Sequence, residues 1–488
     1  MLHLPVLRRG RPYRSLSVER LDDIATGEPV AEVSQANAGL IGRDLARVGE
    51  TQRYLGKLPV EELLAICRAA AQQFSHGELP LGDDDTQTPE DYIRQLSSTT
   101  GMPQSLARTN MAKIHYVLHD LETVLAGLTR GLDLDILDPG YGWEGDRFVS
   151  FLRETDSLGV VLPSNSPGVH SLWIPAIALK VPLVLRPGSR EPWTPYRICQ
   201  ALVAAGCPPQ ALGFYPYGHD GATRILLDSG RSMIFGDAKT VEPWIADDRV
   251  QIHGPGWSKI FLGQDQVPSW EDHLPTIVTS IASNGGRSCI NASGLWVPVF
   301  GRELAEVVAE RLAAIEARPL DDPAAEIAAF SDPRVAHAIS EYIDAEIAKG
   351  GAEDLTALYR GPERVVEVAG CTFLLPTLVF CEDPDHPLVQ AEFLFPFASV
   401  VEVPQEEMIE RVGPSLVVSA LTEDEAFIAD LLDSPKIERL NLGAIPTSKV
   451  AWDQPHEGSL FDLLYRRRAL QGPLLERAGR TAGASPAS

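Results

Sequence analysis

Short apolar segments alternate with helical segments between residues 157 and 235, and this alternation constrains the fold more than any other feature of the chain. The apolar runs Leu158–Pro163, Val181–Pro187 and Met233–Asp237 have the length of buried strands. The intervening residues Leu172–Leu179 and Pro195–Ala205 favour helices. Strands that alternate with helices are typical of a parallel sheet with crossover helices. The sequence therefore predicts an α/β fold.

Polar loops follow the predicted strands, at Pro163–Gly168, Arg186–Pro192 and Gly236–Asp237. Because open parallel sheets bind ligands at the carboxyl ends of their strands, we expect a ligand across these loops. Backbone amides and Arg186 can hold a nucleotide there. The first strand is not followed by Gly-x-Gly-x-x-Gly, which argues against the standard dinucleotide fingerprint.

The chain is long enough for several domains, since 488 residues exceed what one hydrophobic core usually supports. We predict a helical layer, ending in an extended segment at Leu132–Asp138, then two α/β domains, a C-terminal return and oligomerisation segment, and a disordered tail. The predicted bounds of these five parts are 1–150, 151–258 (nucleotide-binding), 259–425 (catalytic), 426–471 and 472–488.

Charge and cysteine usage exclude several classes of function. A formal net charge of −25 argues against nucleic acid or an anionic membrane as a partner. No apolar run approaches the roughly 18 residues of a membrane span, and the first residues do not resemble a secretory signal, so we expect a cytoplasmic protein. Six unevenly spaced cysteines without a Cys-x-x-Cys pair predict neither a disulfide framework nor a metal site.

One cysteine, Cys289, lies among small polar residues, and we expect it in the cleft between the two α/β domains. Flexible Gly285 and Gly286 precede it, and the cation of Arg287 favours a thiolate. These features make Cys289 a candidate nucleophile, although a loop cysteine without a role has the same surroundings. The other five cysteines lie in or beside apolar or helical runs, and we expect them to pack as core residues.

Six short motifs follow one another between Leu158 and Gly443. They are Pro163–Pro167, Ala176–Pro187, Ile234–Asp237, Asn284–Cys289, Glu392–Pro396 and Asn441–Gly443. In sequence and in order they resemble motifs of the aldehyde dehydrogenase superfamily. The resemblance implies two parallel-sheet α/β domains with a small oligomerisation element, and a homodimer or homotetramer.

The resemblance also implies a mechanism. The Cys289 thiolate would add to an aldehyde carbonyl, and the thiohemiacetal would release hydride to a nicotinamide ring and leave a thioester. The side-chain amide of Asn165 and the backbone amide of Cys289 would hold the oxyanion. A turn-forming role for Asn165 between two prolines is the alternative.

Cofactor contacts are implied for residues of the same motifs. Arg186, which replaces a family lysine, and Glu392 would hold the two riboses. An arginine at a strand end and a surface acid are the alternatives for these two residues. The loop residues Pro163, Ser164, Gly236 and Asp237 would complete the cofactor site.

The sequence departs from the family motif at His253, and this departure leaves the product of the reaction undecided. Many relatives carry a glutamate base where this chain has His253. A neutral imidazole can activate water, so we expect a carboxylic acid as product. Relatives that exchange the acyl group with coenzyme A also lack the carboxylate, and a catalytically silent binding subunit is a third possibility. His253 can also simply end a strand.

Two further expectations concern the ligands. The carboxylate of Asp237 would repel a 2′-phosphate and favour NAD over NADP, although Arg186 and Arg190 supply opposing positive charge. Trp173, Trp257 and Phe397 suggest an apolar entrance for a small or apolar aldehyde. We expect the arginines at 466–468 to end a helix in solvent, with contact to a partner subunit as the alternative.

Overall fold

The chain begins with strands. The computed structural model describes residues 1–82, 85–145, 147–455 and 457–472. Five strands precede the first helix: β1 (Leu2–Leu4), β2 (Val6–Arg8), β3 (Arg11–Tyr13), β4 (Val18–Asp22) and β5 (Pro29–Ser34). The prediction of a helical layer from the N-terminus omitted these strands, since most are only three residues long and give no clear period.

Helices then form a layer over the first large sheet, as expected. They are α1 (Ala38–Leu45), α2 (Val48–Leu55), α3 (Val60–His76), α4 (Pro89–Thr100), α5 (Gln104–His119) and α6 (Leu121–Thr129), with the small hairpin β6 (Leu79–Leu81) and β7 (Asp85–Gln87) after α3. Apolar residues of α3 to α6 share one continuous core with this sheet. Burial of this shared face fixes the layer on the sheet.

The segment predicted to be extended, Leu132–Asp138, forms a 3₁₀ turn at Leu134–Leu137 instead. The side chain of Asp133 accepts a hydrogen bond from the backbone nitrogen of Asp135 at 3.1 Å. Aspartates that bind nearby backbone groups compete with strand pairing, which explains the difference. The hairpin β8 (Tyr141–Glu144) and β9 (Arg147–Arg153) follows.

The first seven-stranded sheet is mostly parallel, as predicted. Its further elements are β10 (Leu158–Val161), β11 (Leu183–Arg186), α7 (Trp193–Ala204), β12 (Leu212–Phe214), α8 (His219–Asp228), β13 (Arg231–Phe235), α9 (Ala238–Val241) and β14 (Val250–His253). The strand order is β14-β13-β10-β11-β12-β2-β3, with β2 and β3 antiparallel at one edge.

The helix predicted at Leu172–Leu179 is absent. Two short 3₁₀ helices, Pro167–Leu172 and Ile174–Ala176, cover this region, each with a proline in its first turn. An α-helix through these residues would lack the backbone donor at Pro175.

The second seven-stranded sheet has the order β17-β20-β21-β16-β15-β22-β23, and only β17 is antiparallel to its neighbour. Its elements and those packed on it are β15 (Lys259–Leu262), α10 (Leu274–Ala282), β16 (Gly294–Val297), α11 (Gly301–Ala313), α12 (Pro333–Ile347), β17 (Ala352–Asp354), α13 (Ala357–Arg360), β18 (Val365–Val368), β19 (Cys371–Leu374), β20 (Thr377–Cys381), β21 (Phe397–Glu402), α14 (Gln405–Arg411), β22 (Ser415–Leu421), α15 (Glu425–Asp433) and β23 (Ile437–Leu442). Separate apolar cores cover its two faces. Such double burial is typical of parallel sheets.

The basic C-terminal segment is a strand and not a helix end. After α16 (Leu460–Leu464), β24 (Tyr465–Arg467) pairs antiparallel with β9. Arg466 forms an ion pair with Glu154. The arginines at 466–468 are exposed to solvent, but they lie on or beside a strand and not at a helix end. The predicted disordered tail lies outside the described residues from position 473 onward. Within the described ranges, no helix has both the length and the apolar character needed to span a bilayer.

Candidate active site

The turn before Cys289 needs a left-handed backbone. Asn284, Gly285 and Gly286 have φ angles of 55°, 65° and 70° between α10 and β16. A Cβ at Gly286 would lie 2.3 Å from the carbonyl carbon of Phe395. Glycine is therefore required there both for its backbone angles and for the close approach.

Asparagine side chains hold this loop in place. Asn291 accepts from the backbone nitrogen of Ser288 at 3.0 Å and donates to the carbonyl of Ser283 at 2.9 Å. The Asn284 amide donates to Ser288 Oγ at 2.9 Å and to Ser166 Oγ at 3.1 Å. The nucleophile loop is thus fixed to the Pro163–Ser166 loop of the first sheet.

The loop after β14 packs directly on the backbone of Cys289. Ser258 Oγ donates to the carbonyl oxygen of Cys289 at 2.9 Å. A Cβ at Gly256 would lie only 1.9 Å from the same oxygen. Only glycine leaves room for the cysteine backbone here, so the two sheets together position the thiol.

A carboxylate that the sequence reasoning missed, Glu457, contacts the thiol. Cys289 Sγ lies 3.5 Å from Glu457 Oε1, and Glu457 Oε2 is hydrogen-bonded to Nδ1 of His253. The ring of His253 stacks on Phe235 with centroids 4.4 Å apart. Its Nε2 is buried without a partner among the described residues. His253 is therefore connected to Cys289 through the carboxylate of Glu457.

The charges around the thiol differ from the prediction. Burial, together with the carboxylates of Glu457 and Glu392, raises the pKa of Cys289 well above its ordinary value. Arg287 does not oppose this effect, because its guanidinium turns away to donate to the carbonyls of Thr100 and Ala329. The expectation that Arg287 favours a thiolate is wrong.

Arg439 is a partly buried cation beside the site. Burial lowers its pKa to about 10, and the charges of Cys289 and Glu457 partly offset this change. The guanidinium also donates to the carbonyl of Thr447. Arg439 lies on β23, 150 positions along the chain from Cys289, so sequence proximity gave no signal for it.

Asn165 lies at the nucleophile loop. Its side-chain nitrogen donates to the carbonyl of Arg287 at 3.0 Å, and its side-chain oxygen has no partner among the described residues. The second hydrogen of the amide is not needed for this bond. Asn165 and Cys289 both line the same cavity.

A cavity of about 630 Å³ opens onto Cys289, between the two sheets. Its wall includes five of the predicted cofactor residues, namely Pro163, Ser164, Gly236, Asp237 and Glu392. The aromatic residues expected at its entrance do not line it: Trp173 and Phe397 are buried in the cores, and Trp257 is not among the lining residues. Phe393 and Trp452 provide aromatic surface instead.

Two of the predicted cofactor carboxylates are engaged within the protein. Glu392 accepts hydrogen bonds from the backbone nitrogens of Gly256, at 3.1 Å, and Trp257. Burial raises the pKa of Glu392, although these bonds and the nearby Lys259 lower it. Asp237 caps α9 and accepts from the backbone nitrogen of Thr240 at 2.8 Å. Glu392 is therefore not a solvated surface acid.

Arg186 lines a second cavity of about 220 Å³, beside the first. Its Nε donates to the carbonyl of Tyr217 at 3.0 Å. Glu19 of β4 lines the same cavity, and its charge partly offsets the lowering of the pKa of Arg186 by burial. The backbone nitrogen of Arg190 donates to Ser164 Oγ at 3.2 Å, which connects the loops at Arg186–Pro192 and Pro163–Gly168.

Comparison with known proteins identifies the family. A family model described as "Aldehyde dehydrogenase family" matches residues 15–415. The chain belongs to the aldehyde dehydrogenase family. No curated protein sequence matches it. Among solved structures, the aldehyde dehydrogenase KauB from Pseudomonas aeruginosa has a TM-score of 0.78 at 17% identity, covering 96% of each chain.

Two other solved aldehyde dehydrogenases have the same fold. An indole-3-acetaldehyde dehydrogenase in complex with NAD⁺ has a TM-score of 0.75 at 18% identity, covering 96% of each chain. Succinate-semialdehyde dehydrogenase from Burkholderia pseudomallei has a TM-score of 0.76 at 15% identity, covering 96% of this chain and 97% of its own. The predicted α/β fold and family are confirmed, and the protein is an oxidoreductase of the NAD(P)-dependent aldehyde dehydrogenase type.

The residues present fit a nicotinamide dinucleotide. The smaller cavity offers the cation of Arg186 and the carboxylate of Glu19, which suit phosphate and ribose groups. A Cβ at Gly188 would lie 2.3 Å from the carbonyl oxygen of Pro163, so only glycine lets these two loops meet. The loops lead into the larger cavity, where Cys289 lies.

The remaining cysteines are core residues, as predicted. Cys67, Cys199, Cys207, Cys371 and Cys381 are all buried, whereas Cys289 alone among the six is partly exposed. Burial raises the pKa of Cys207 and of Cys381 to about 12. These thiols stay protonated at neutral pH, and Cys289 is the one that a substrate can reach.

Proposed function

We propose that this aldehyde dehydrogenase oxidises an aldehyde to a carboxylic acid through a covalent bond to Cys289. The observation that carries the proposal is the contact of 3.5 Å between Cys289 Sγ and the carboxylate of Glu457. A thiol with a raised pKa needs a proton acceptor before it can attack, and this carboxylate is within reach.

The proton path follows from these contacts. Glu457 takes the Sγ proton as sulfur bonds to the aldehyde carbon, and releases it to solvent before it acts again. His253 positions the carboxylate through its Nδ1 hydrogen bond. Proton transfer to the carboxylate also avoids two adjacent anions, which burial would make costly.

The oxyanion of the thiohemiacetal forms near Asn165. The free N–H of its side chain and the backbone N–H of Cys289 are the donors we propose for it. One such donor is worth about a hundredfold to a thousandfold in rate. A nicotinamide cofactor held beside Arg186 and Glu19 would supply the hydride acceptor. Loss of hydride from the former aldehyde carbon would leave a thioester on Cys289.

Hydrolysis completes the reaction. Glu457, positioned by His253, removes a proton from a water molecule as the water oxygen adds to the thioester carbon. The carbon–sulfur bond then breaks, and the Cys289 sulfur recovers a proton. The base that sequence reasoning placed at His253 is thus assigned to the pair of His253 and Glu457. A carboxylate beside the thiol supports hydrolysis over acyl transfer to coenzyme A.

We propose NAD as the preferred cofactor. Asp237, the residue from which this preference was first inferred, caps a helix in the larger cavity. Glu19 provides better support, because its carboxylate shares the smaller cavity with Arg186. There it can accept hydrogen bonds from ribose hydroxyls and would repel a 2′-phosphate. The substitution Glu19→Gln should lower the ratio of kcat/KM with NAD to kcat/KM with NADP.

The test follows reduced nicotinamide by absorbance with a panel of aldehydes, with and without coenzyme A. We expect turnover without coenzyme A, loss of turnover in Cys289→Ala, and an acyl adduct on Cys289 by mass spectrometry of the quenched parent. Turnover that requires coenzyme A would assign the acylating reaction instead. A parent that binds cofactor but is silent with every aldehyde and acyl thioester would be a binding subunit.

The predicted homodimer or homotetramer remains a proposal. Light scattering during gel filtration will measure the mass of the assembly, and a monomer at working concentrations would contradict it.

A further inference from the structure

The cavity at Cys289 contains two cations whose charge is not used within the protein. Lys113 of α5 and Lys449 line it, and neither has an ion-pair or hydrogen-bond partner among the residues that the structure describes. Every other charged side chain of the cavity wall is engaged. Asp237 caps α9, and Asp332 caps α12 and pairs with Arg334.

The two lysines belong to two segments of the chain that meet at one aromatic contact. The rings of Tyr116 and Trp452 have centroids 5.7 Å apart. Lys113 lies three residues before Tyr116, and Lys449 lies three residues before Trp452. The helix α5 and the segment from 448 to 452 therefore bring both lysines to the part of the cavity wall near this contact.

This part of the cavity wall is connected to the thiol by a polar chain. Asn110 donates to Asn284 Oδ1 at 2.7 Å, and Asn284 donates to Ser288, the neighbour of Cys289. Lys113 is about 4.5 Å further along the helix axis than Asn110. A substrate whose aldehyde reaches Cys289 can therefore extend along the cavity toward Lys113.

Apolar side chains also form part of the cavity wall. Val169, Leu172 and Trp452 contribute to it. Both lysines are exposed to solvent, and the protein around Lys113 lowers the pKa of its ammonium group. No acid among the described residues offsets this effect. In a protein of net charge −25, an anionic ligand would meet a repulsive field unless local cations received it.

We propose that the substrate is an aldehyde with an anionic group, a carboxylate or a phosphate, at its far end, and that Lys113 and Lys449 bind this group. An apolar carbon chain between the two groups would contact the wall. The proposal rests on the proposed oxidation at Cys289, which places the aldehyde end.

The test compares straight-chain aldehydes of equal length that end in a carboxylate, a phosphate monoester or a methyl ester. The readout is the ratio of kcat/KM for the anionic aldehyde over the neutral ester. We expect a ratio above about ten for the parent, a fall of about tenfold in Lys113→Gln or Lys449→Gln, and partial recovery in Lys113→Arg. The larger of the carboxylate and phosphate ratios identifies the anion.

Lys57→Gln is the matched control, since Lys57 is exposed between α2 and α3 and does not line the cavity. A ratio near one, or a ratio that neither lysine variant changes relative to this control, would overturn the inference while leaving aldehyde oxidation intact.

A binding measurement separates this inference from the proposed function. Isothermal titration of the parent with a straight-chain dicarboxylate and with its diamide needs no turnover. Tighter binding of the dicarboxylate, weakened about tenfold in Lys113→Gln, supports the anion site even if no aldehyde is oxidised. Equal binding of the two compounds overturns the inference.

Discussion

Replacing Gly256 by alanine tests how the two sheets position the nucleophile. The new Cβ would lie 1.9 Å from the carbonyl oxygen of Cys289 and 3.2 Å from its Cα. The backbone of Cys289 must therefore retreat by about 1 Å, and a displacement of this size costs about a hundredfold in rate. The bond from Ser258 to the same carbonyl is strained as well. We expect kcat/KM to fall about a hundredfold, and overpacking to cost about 1–3 kcal/mol of stability.

The assay combines aldehyde turnover, the rate of Cys289 alkylation and the thermal midpoint. Gly254→Ala is the matched control in the same loop, because a Cβ there meets only Val241, at the ordinary distance of 3.5 Å. We expect this control to retain activity within about threefold, since it creates no overlap. If Gly256→Ala keeps the activity and thermal midpoint of the control, the close packing described above is refuted.

Three further predictions concern the site and the core. Glu457→Gln should lower kcat about a hundredfold and shift the pH midpoint of Cys289 alkylation downward, because a carboxylate that raises the pKa of this thiol is removed; an unchanged midpoint would contradict the contact. Asn165→Ala should lower kcat at least about a hundredfold, and a change confined to KM would argue against an oxyanion donor. Stability in urea should fall as the pH rises from about 9 to about 11, because burial raises the pKa of Cys371 to about 11 and of Cys381 to about 12, whereas unfolded thiols ionise near 9.0. Below about pH 9 the stabilisation is complete, and it is lost as the pH rises through the folded values. A stability that rises over this interval would have the opposite sign.

Much of the first large sheet could be predicted from the local pattern of apolar and polar residues. The strands β10, β11 and β13 are strongly apolar, and their order with α7 predicted a parallel sheet. The strand β12 and helix α8 were missed, since Leu212–Phe214 is too short to show a period. The segments Leu172–Leu179 and Leu132–Asp138 contain 3₁₀ turns instead of the predicted elements. Proline lacks the backbone N–H that an α-helix needs, and aspartate side chains bind nearby backbone groups and so compete with strand pairing.

The candidate site was predicted only in part. Cys289 was found because glycines and small polar residues surround it in sequence, and Asn165 because it lies in a recognisable motif. Glu457 lies 168 positions from Cys289 and is one of 67 acidic residues, with no local feature that sets it apart. The error at Arg287 has the same origin, since adjacency in sequence does not fix where a guanidinium points.

The sequence by itself determined that the apolar segments of β10, β11 and β13 form strands, where the chain turns through left-handed glycines, and which thiol lies outside the core. These properties depend on backbone sterics and on the polarity of near neighbours. Tertiary structure alone decided that burial and the carboxylates of Glu457 and Glu392, not Arg287, set the electrostatics of Cys289, and that Lys113 and Lys449 line the same cavity. Electrostatic interactions depend on distance and burial in space, and the packing of the two sheets sets both.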